Sequence, residues 1–176
     1  EVALPKLLLG FKETDAPTEG DEFMSRQLAS SLALEIVFGR SSPTFQDLYE
    51  AKLVLDDFGA DYSLGAGVGY GVVGGETPDP DRLRETIVQR MARLLESGIS
   101  DEDFERAKRM FLGGFVRGFN SLEYIATNYP YFMFHGFDLF RSIELFAGFT
   151  KERLEDRLRS LLDPDNCASY VVLPPE

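Results

Sequence analysis

The chain has 176 residues, 44% of them hydrophobic and 12% aromatic, which is enough for one sizeable core but short for two. Its formal net charge of −12 at pH 7 argues against nucleic acid and anionic membranes as partners, because both require basic side chains that displace counterions. The single cysteine, Cys167, excludes an intrachain disulfide and indicates a reducing compartment. No apolar run approaches the roughly 20 residues that a membrane-spanning helix needs.

The chain opens with a predicted strand and two predicted helices. The apolar run Leu7–Leu9 is typical of a buried strand. A long helix follows from Asp21 to Gly39, and a short helix begins at Ser42. Four residues share helical spacing in the short helix: Phe45, Leu48, Tyr49 and Lys52.

A glycine-rich hairpin is predicted from Phe58 to Glu76. Apolar residues alternate with small or polar ones from Phe58 to Leu64, and a second strand runs from Tyr70 to Glu76. The turn between them contains Gly65, Gly67 and Gly69. Glycines inside a strand either allow another backbone to come close or serve only the twist of the sheet, and both interpretations remain open.

The second half of the chain is mostly helical and ends in a strand. Helices are predicted to begin at Pro80, after Ser100 and after Thr150, because each position follows or contains a capping residue. A last strand is predicted from Cys167 to Leu173. We therefore expect an α+β fold, in which a mostly antiparallel sheet of about four strands is packed with helices.

Nine aromatic residues lie between Asn120 and Phe149, more than one helix face can bury against its own sheet. Two short helices are predicted here, and the segment forms either a domain interface or a thick local core. The interface interpretation predicts that at least two of four side chains are exposed or covered by a partner: Tyr131, Phe134, Phe137 and Phe140.

Few residues are candidates for a catalytic or metal-binding site. His135 is the only histidine, which excludes a zinc site with two histidines within the chain. Its aromatic neighbours favour a packed or capping role. Asp56 and Asp57 leave a small acidic hydrolase as one alternative, although other acidic pairs are explained by helix N-termini and solvated faces.

Four segments, taken in their order, resemble the C-terminal half of an M16 (pitrilysin/insulinase-type) zinc metallopeptidase of the cytoplasmic, bacterial YmfH-like subfamily. These segments are LPKLLLGFKE, FQDLYEAKLVLDDFGADYSLGAGVGYGVVGGETPDPDRL, GISDEDFERAKRMFLGGF and LLDPDNCASYVVLPP. The resemblance covers nearly the whole chain. It implies that residues 1–176 are a single, non-zinc-binding domain from a longer two-domain chain, with the fold of the mitochondrial processing peptidase.

In that family the zinc motif, His-x-x-Glu-His, belongs to an N-terminal domain, and this sequence does not contain it. The resemblance therefore implies no cofactor in this chain and zinc in the full-length protein. It also implies a peptide substrate, an N-terminal M16 domain and a second M16 subunit as partners, and a cytoplasmic location.

The family's C-terminal half often supplies an Arg and a Tyr, seven residues apart, that hold the substrate carbonyl. The matching substrate-binding positions here are Tyr49 and Asp56. Because the cation is lost and a phenol is replaced by a carboxylate, the chain is not expected to stabilise an oxyanion.

The sequence thus predicts a domain that is inactive alone, helps to enclose and bind a peptide, and pairs with a zinc-bearing domain or subunit. One alternative is a purely structural or assembly domain of a relative that has lost proteolysis. A ferredoxin-like RNA-binding sheet is another alternative, which the charge of −12 opposes.

Overall fold

The computed structural model describes residues 3–13, 15–65 and 67–175. The strands of these residues are β1 (Lys6–Glu13), β2 (Gly59–Gly65), β3 (Val68–Glu76) and β4 (Cys167–Val172). The α-helices of the described residues are α1 (Gly20–Phe38), α2 (Pro43–Glu50), α3 (Pro80–Ser97), α4 (Asp101–Gly118), α5 (Leu122–Phe134), α6 (Ser142–Ala147) and α7 (Lys151–Leu161). Two short 3₁₀ helices span Leu139–Arg141 and Pro164–Asn166.

The four strands form one antiparallel sheet in the order β2-β3-β1-β4. The predicted α+β class, with about four antiparallel strands, is confirmed. Along β1, Leu7, Leu9 and Phe11 are buried, and they alternate with less buried residues as a sheet with one covered face requires. Helices α1 and α7 both contact the sheet, so the core lies between the sheet and these helices.

The glycines of β3 bring strands of the same chain together. A Cβ atom on Gly74 would overlap the carbonyl oxygen of Leu7 in β1, and one on Gly75 would lie 2.7 Å from the Cα atom of Phe58. The hairpin is therefore glycine-rich because its own backbone packs closely there.

Two predicted boundaries differ from the structure. Helix α2 ends at Glu50 and does not reach Lys52, whose φ of 56° is left-handed and turns the chain out of the helix. Strand β3 begins at Val68, before the predicted Tyr70, because the antiparallel pairing with β2 continues to Gly65.

A buried ion cluster joins the sheet to the helices. The Glu13 carboxylate at the end of β1 accepts hydrogen bonds from Arg26 Nη1 of α1 at 2.6 Å and from Arg157 Nη2 of α7 at 2.7 Å. The Tyr62 hydroxyl of β2 also donates to it. Burial alone would raise the pKa of Glu13, but these hydrogen bonds and the charge of Arg157 hold that pKa below its ordinary value.

No helix in the described part of the chain is long and apolar enough to cross a bilayer.

Candidate functional site: an acidic recess and an aromatic surface

The loop after α2 positions the two residues that match the family's Arg/Tyr pair. Ser42 caps α2 by accepting a hydrogen bond from the Phe45 amide at 3.0 Å, and Tyr49 lies in the last turn. The following loop is anchored by two buried side chains, Leu53 and Val54. Asp56 therefore comes from this loop, because the helix does not extend across the seven residues.

The structure nevertheless brings Tyr49 and Asp56 to one cavity of about 380 Å³. Leu55, Asp57 and Glu76 complete its lining, and we call this cavity the acidic recess. The Tyr49 ring is 55% exposed and stacks on Phe45 with ring centroids 5.9 Å apart.

Within the acidic recess, Asp57 already has partners. Its carboxylate accepts the backbone N–H of Glu76 at 3.0 Å and lies 3.0 Å from Lys6 Nζ, so it ties the loop to β3 and β1. Because Asp57 is engaged in this way, the geometry does not favour a hydrolase that uses Asp56 and Asp57 together. Tyr49 and the carboxylates of Asp56 and Glu76 are the groups left to meet a ligand.

The residues that line the acidic recess include no cation. Arg40 is close to the loop, but its Nη2 donates to the backbone oxygen of Asp56 at 2.5 Å. This loop-bracing arginine could not be recognised from sequence spacing. The recess thus offers carboxylates and an aromatic face, which can accept peptide N–H groups or cations but cannot stabilise an oxyanion.

The described residues do not fit zinc. Residues 3–13, 15–65 and 67–175 contain no group of three or more His, Cys, Asp or Glu side chains that could hold a metal ion. The ring of His135 stacks on Phe23 with centroids 4.2 Å apart, and its Nδ1 lies 2.7 Å from the backbone oxygen of Tyr131. His135 therefore has the packed role that its aromatic neighbours predicted.

A second feature is the set of large apolar side chains exposed on and just after α5. We call it the α5 surface, and it consists of Leu122, Tyr129, Tyr131, Met133, Phe134 and Phe140. Phe134 is 87% exposed, whereas Phe137 is only 2% exposed. At least two of the four side chains are exposed, as the interface interpretation predicts, because Tyr131, Phe134 and Phe140 are in solvent while Phe137 belongs to the core.

The aromatic segment thus contributes to both the core and the surface. Phe132, Phe137 and Phe146 are buried, as the thick-core interpretation predicts. Tyr131 fastens α5 to the hairpin, because its hydroxyl donates to the backbone oxygen of Leu64 at 3.1 Å. Phe134, three residues further along α5, is in solvent.

The described residues thus form an α+β domain in which no zinc ligand set is present. A family model described as the peptidase M16 inactive domain matches residues 1–111. The sequence is 31% identical over 170 residues to the uncharacterized zinc protease YmfH of Bacillus subtilis, covering 97% of this chain. The chain belongs to the M16 family and is its inactive, C-terminal domain.

Solved structures agree with this assignment. The crystal structure of an M16-like peptidase from Alicyclobacillus acidocaldarius superposes with a TM-score of 0.94, at 32% identity over 99% of this chain. The inactive peptidase domain of a zinc protease from Bordetella parapertussis shares the fold, with a TM-score of 0.79 at 16% identity, and this match covers 94% of that chain. The present chain spans 40% of the length of YmfH and 42% of the Alicyclobacillus chain.

Proposed function

We propose that this chain is the non-catalytic domain of an M16 metallopeptidase, that it helps to enclose and bind a peptide substrate, and that it pairs with a zinc-bearing M16 domain or a second M16 subunit. Residues 1–176 form one domain of a longer two-domain chain in this proposal. A cytoplasmic location is part of the same proposal, and the single cysteine supports it.

The α5 surface is the single observation that carries the pairing. Burying apolar area contributes about 25 cal/mol per Å², so exposed rings such as Phe134 favour a partner that removes them from water. Two of these rings, Phe140 and Tyr129, already pack on each other with centroids 6.0 Å apart, and Phe140 also stacks on Phe119 at 5.4 Å. Rings ordered in this way lose little conformational freedom when a partner covers them.

The acidic recess supports the peptide-binding part of the proposal. Tyr49 and Asp56 occupy the positions that match the family's carbonyl-holding pair, and both face one cavity. Without a cation, their contribution is to position a bound peptide, while bond cleavage belongs to the zinc-bearing partner.

Pairing is tested by titrating the chain with the zinc-bearing M16 domain that accompanies it and measuring the complex by calorimetry and light scattering. A 1:1 complex is expected for the unaltered chain. Phe134→Glu should weaken it at least about tenfold, because the substitution puts a charge into an apolar interface. The matched control is Val88→Glu, which places the same charge at an exposed apolar position on α3.

No complex with the unaltered chain, or equal weakening by the two variants, would overturn the pairing proposal. A complex that forms normally but never binds peptide would instead favour the alternative of a purely structural or assembly domain.

A further inference from the structure

Glu35, in the last turn of α1, has no evident structural partner. Its carboxyl group forms no ion pair and no side-chain hydrogen bond with any other residue in the described ranges, although the side chain is half-buried. Other carboxylates of the described chain, such as Asp57, Asp47 and Asp21, are paired with Lys or Arg. The Glu35 carboxyl is thus free to bind a group that other described residues do not supply.

The carboxyl borders a recess of about 360 Å³ that is lined mostly by aromatic residues. Besides Glu35, the lining consists of Met110, Phe111, Gly114, Phe115 and Tyr124. The Phe115 and Tyr124 rings meet edge to face with centroids 6.3 Å apart. Two sides of the recess are thus π systems, beside an acidic group.

One glycine lies beside the acid and another lies in the wall of the recess. A Cβ atom on Gly39 would overlap the Glu35 carboxyl, so glycine makes room for the acid. A Cβ atom on Gly114 would meet no atom within 4 Å, so packing does not require glycine at this position in the middle of α4. Glycine in a helix interior costs roughly 0.5–1 kcal/mol relative to alanine, and here the fold gains nothing from it.

Three features of its surroundings disfavour the charged form of Glu35. Burial raises the pKa of its carboxyl, no basic residue lies in the last turn of α1, and the negative end of the helix dipole is there. A cation in the recess would relieve all three, because it supplies both the missing charge and hydrogen-bond donors.

We propose that the Glu35 recess is a binding site for the side-chain cation of a lysine or arginine presented by the partner domain. The carboxyl pairs with the ammonium or guanidinium group, and the faces of Phe115 and Tyr124 add cation–π attraction. Met110, which is 42% exposed, extends the recess into apolar surface that would contact the stem of the same side chain. The identity of the occupant as a partner residue rests on the proposed function.

Binding of the cation can be tested on the 176-residue chain itself, since an inactive M16 domain of similar extent has been crystallised as a separate chain. The probes are Nα-acetyl-lysine methylamide, its arginine counterpart and the isosteric, uncharged norleucine compound, each at matched ionic strength. Amide and ring resonances of Glu35, Phe115 and Tyr124 are followed by NMR.

We expect saturable shifts with both cationic probes and none with the norleucine compound. Glu35→Gln should weaken binding about tenfold, and Gly114→Leu should block it by filling the recess, without loss of the folded spectrum. Glu85→Gln, at an exposed position on α3, serves as the matched control and should bind as the unaltered chain does.

Equal binding of the norleucine compound, or equal binding by the Glu35→Gln variant, would overturn the cation site. So would the absence of saturable shifts with the unaltered chain. These outcomes are independent of the pairing titration, whose failure would overturn the proposed function while leaving a measured cation site in place.

Discussion

The Glu13 carboxylate lies between the guanidinium groups of Arg26 and Arg157, and its side chain is only 6% exposed. At the scale of the residue, this arrangement makes stability depend on pH. Because the pKa of Glu13 is lower in the folded chain than in the unfolded chain, the unfolded state binds more protons as the pH falls. The stabilisation is present above the ordinary pKa of a glutamate and is lost as the pH falls through the folded value.

We expect Glu13→Gln to destabilise the chain at neutral pH, because Arg26 and Arg157 then lose the carboxylate with which both are paired. The difference in unfolding free energy between this variant and the unaltered chain should narrow as the pH falls below the ordinary pKa of a glutamate and through the lower pKa of folded Glu13, because the carboxylate charge is then lost in both states. Denaturant unfolding at several pH values measures it. A difference that stays constant over this range would contradict the account.

Gly74 and Gly59 lie opposite each other in the pairing of β3 with β2 and make a matched pair of substitutions. Gly74→Ala should destabilise the fold by about 1–3 kcal/mol, because the new methyl group overlaps the Leu7 carbonyl and forces the two central strands apart. Gly59→Ala should cost much less, since no atom lies within 4 Å of its Cβ position. Thermal and urea unfolding compare the two variants. Equal losses of unfolding free energy would contradict a specific destabilisation by overlap with the Leu7 carbonyl.

Tyr49 offers a kinetic prediction at the same scale. In a complex with a zinc-bearing M16 domain, Tyr49→Ala should raise KM for a peptide by about 3- to 10-fold and leave kcat unchanged, because it removes ground-state and transition-state contacts alike. Steady-state kinetics separate the two constants. A fall in kcat with unchanged KM would mean that the acidic recess acts on the transition state.

At the scale of the element, α5 and the 3₁₀ helix after it divide their aromatic side chains between core and solvent. We expect Phe137→Ala to cost about 3–5 kcal/mol, because it leaves a cavity in the core. Phe134→Ser should change the unfolding free energy by less than about 0.5 kcal/mol, since its ring is already in water. Urea unfolding of both variants tests the division, and a large loss for Phe134→Ser would place that ring in the core.

Helix starts could be predicted from the sequence because capping is local. Ser42, Asp79, Ser100 and Thr150 each accept a hydrogen bond from the amide three residues later, as the predicted helix starts require. The end of α2 could not be predicted, because it depends on the left-handed conformation of Lys52, and lysine has no particular preference for that conformation.

The sites were only partly predictable, because their geometry depends on residues far apart in the chain. The family pattern identified Tyr49 and Asp56, but Glu76 joins their recess only through the sheet. Glu13 and Arg157 are 144 residues apart, and no local pattern links them. The distinction between Phe134 and Phe137 likewise required knowing which side of the segment faces the core.

At the scale of the whole molecule, the chain is the inactive C-terminal domain of an M16 protein and spans 40% of the length of YmfH and 42% of the Alicyclobacillus chain. Its described residues provide neither a zinc ligand set nor a cation in the acidic recess. Zinc is implied for the full-length family by the zinc protease relatives. In the proposed function, the zinc-bearing domain cleaves the peptide and the present domain helps to enclose it.

Cleavage of an unstructured peptide tests this division most directly. Turnover is measured for the purified chain, for the zinc-bearing M16 domain that accompanies it, and for the two combined, each with and without a zinc chelator. We expect no turnover by the chain alone, and turnover by the combination that exceeds that of the zinc-bearing domain, is abolished by the chelator and is reduced by Phe134→Glu. Chelator-resistant turnover by the chain alone, or no gain when the two are combined, would contradict the account.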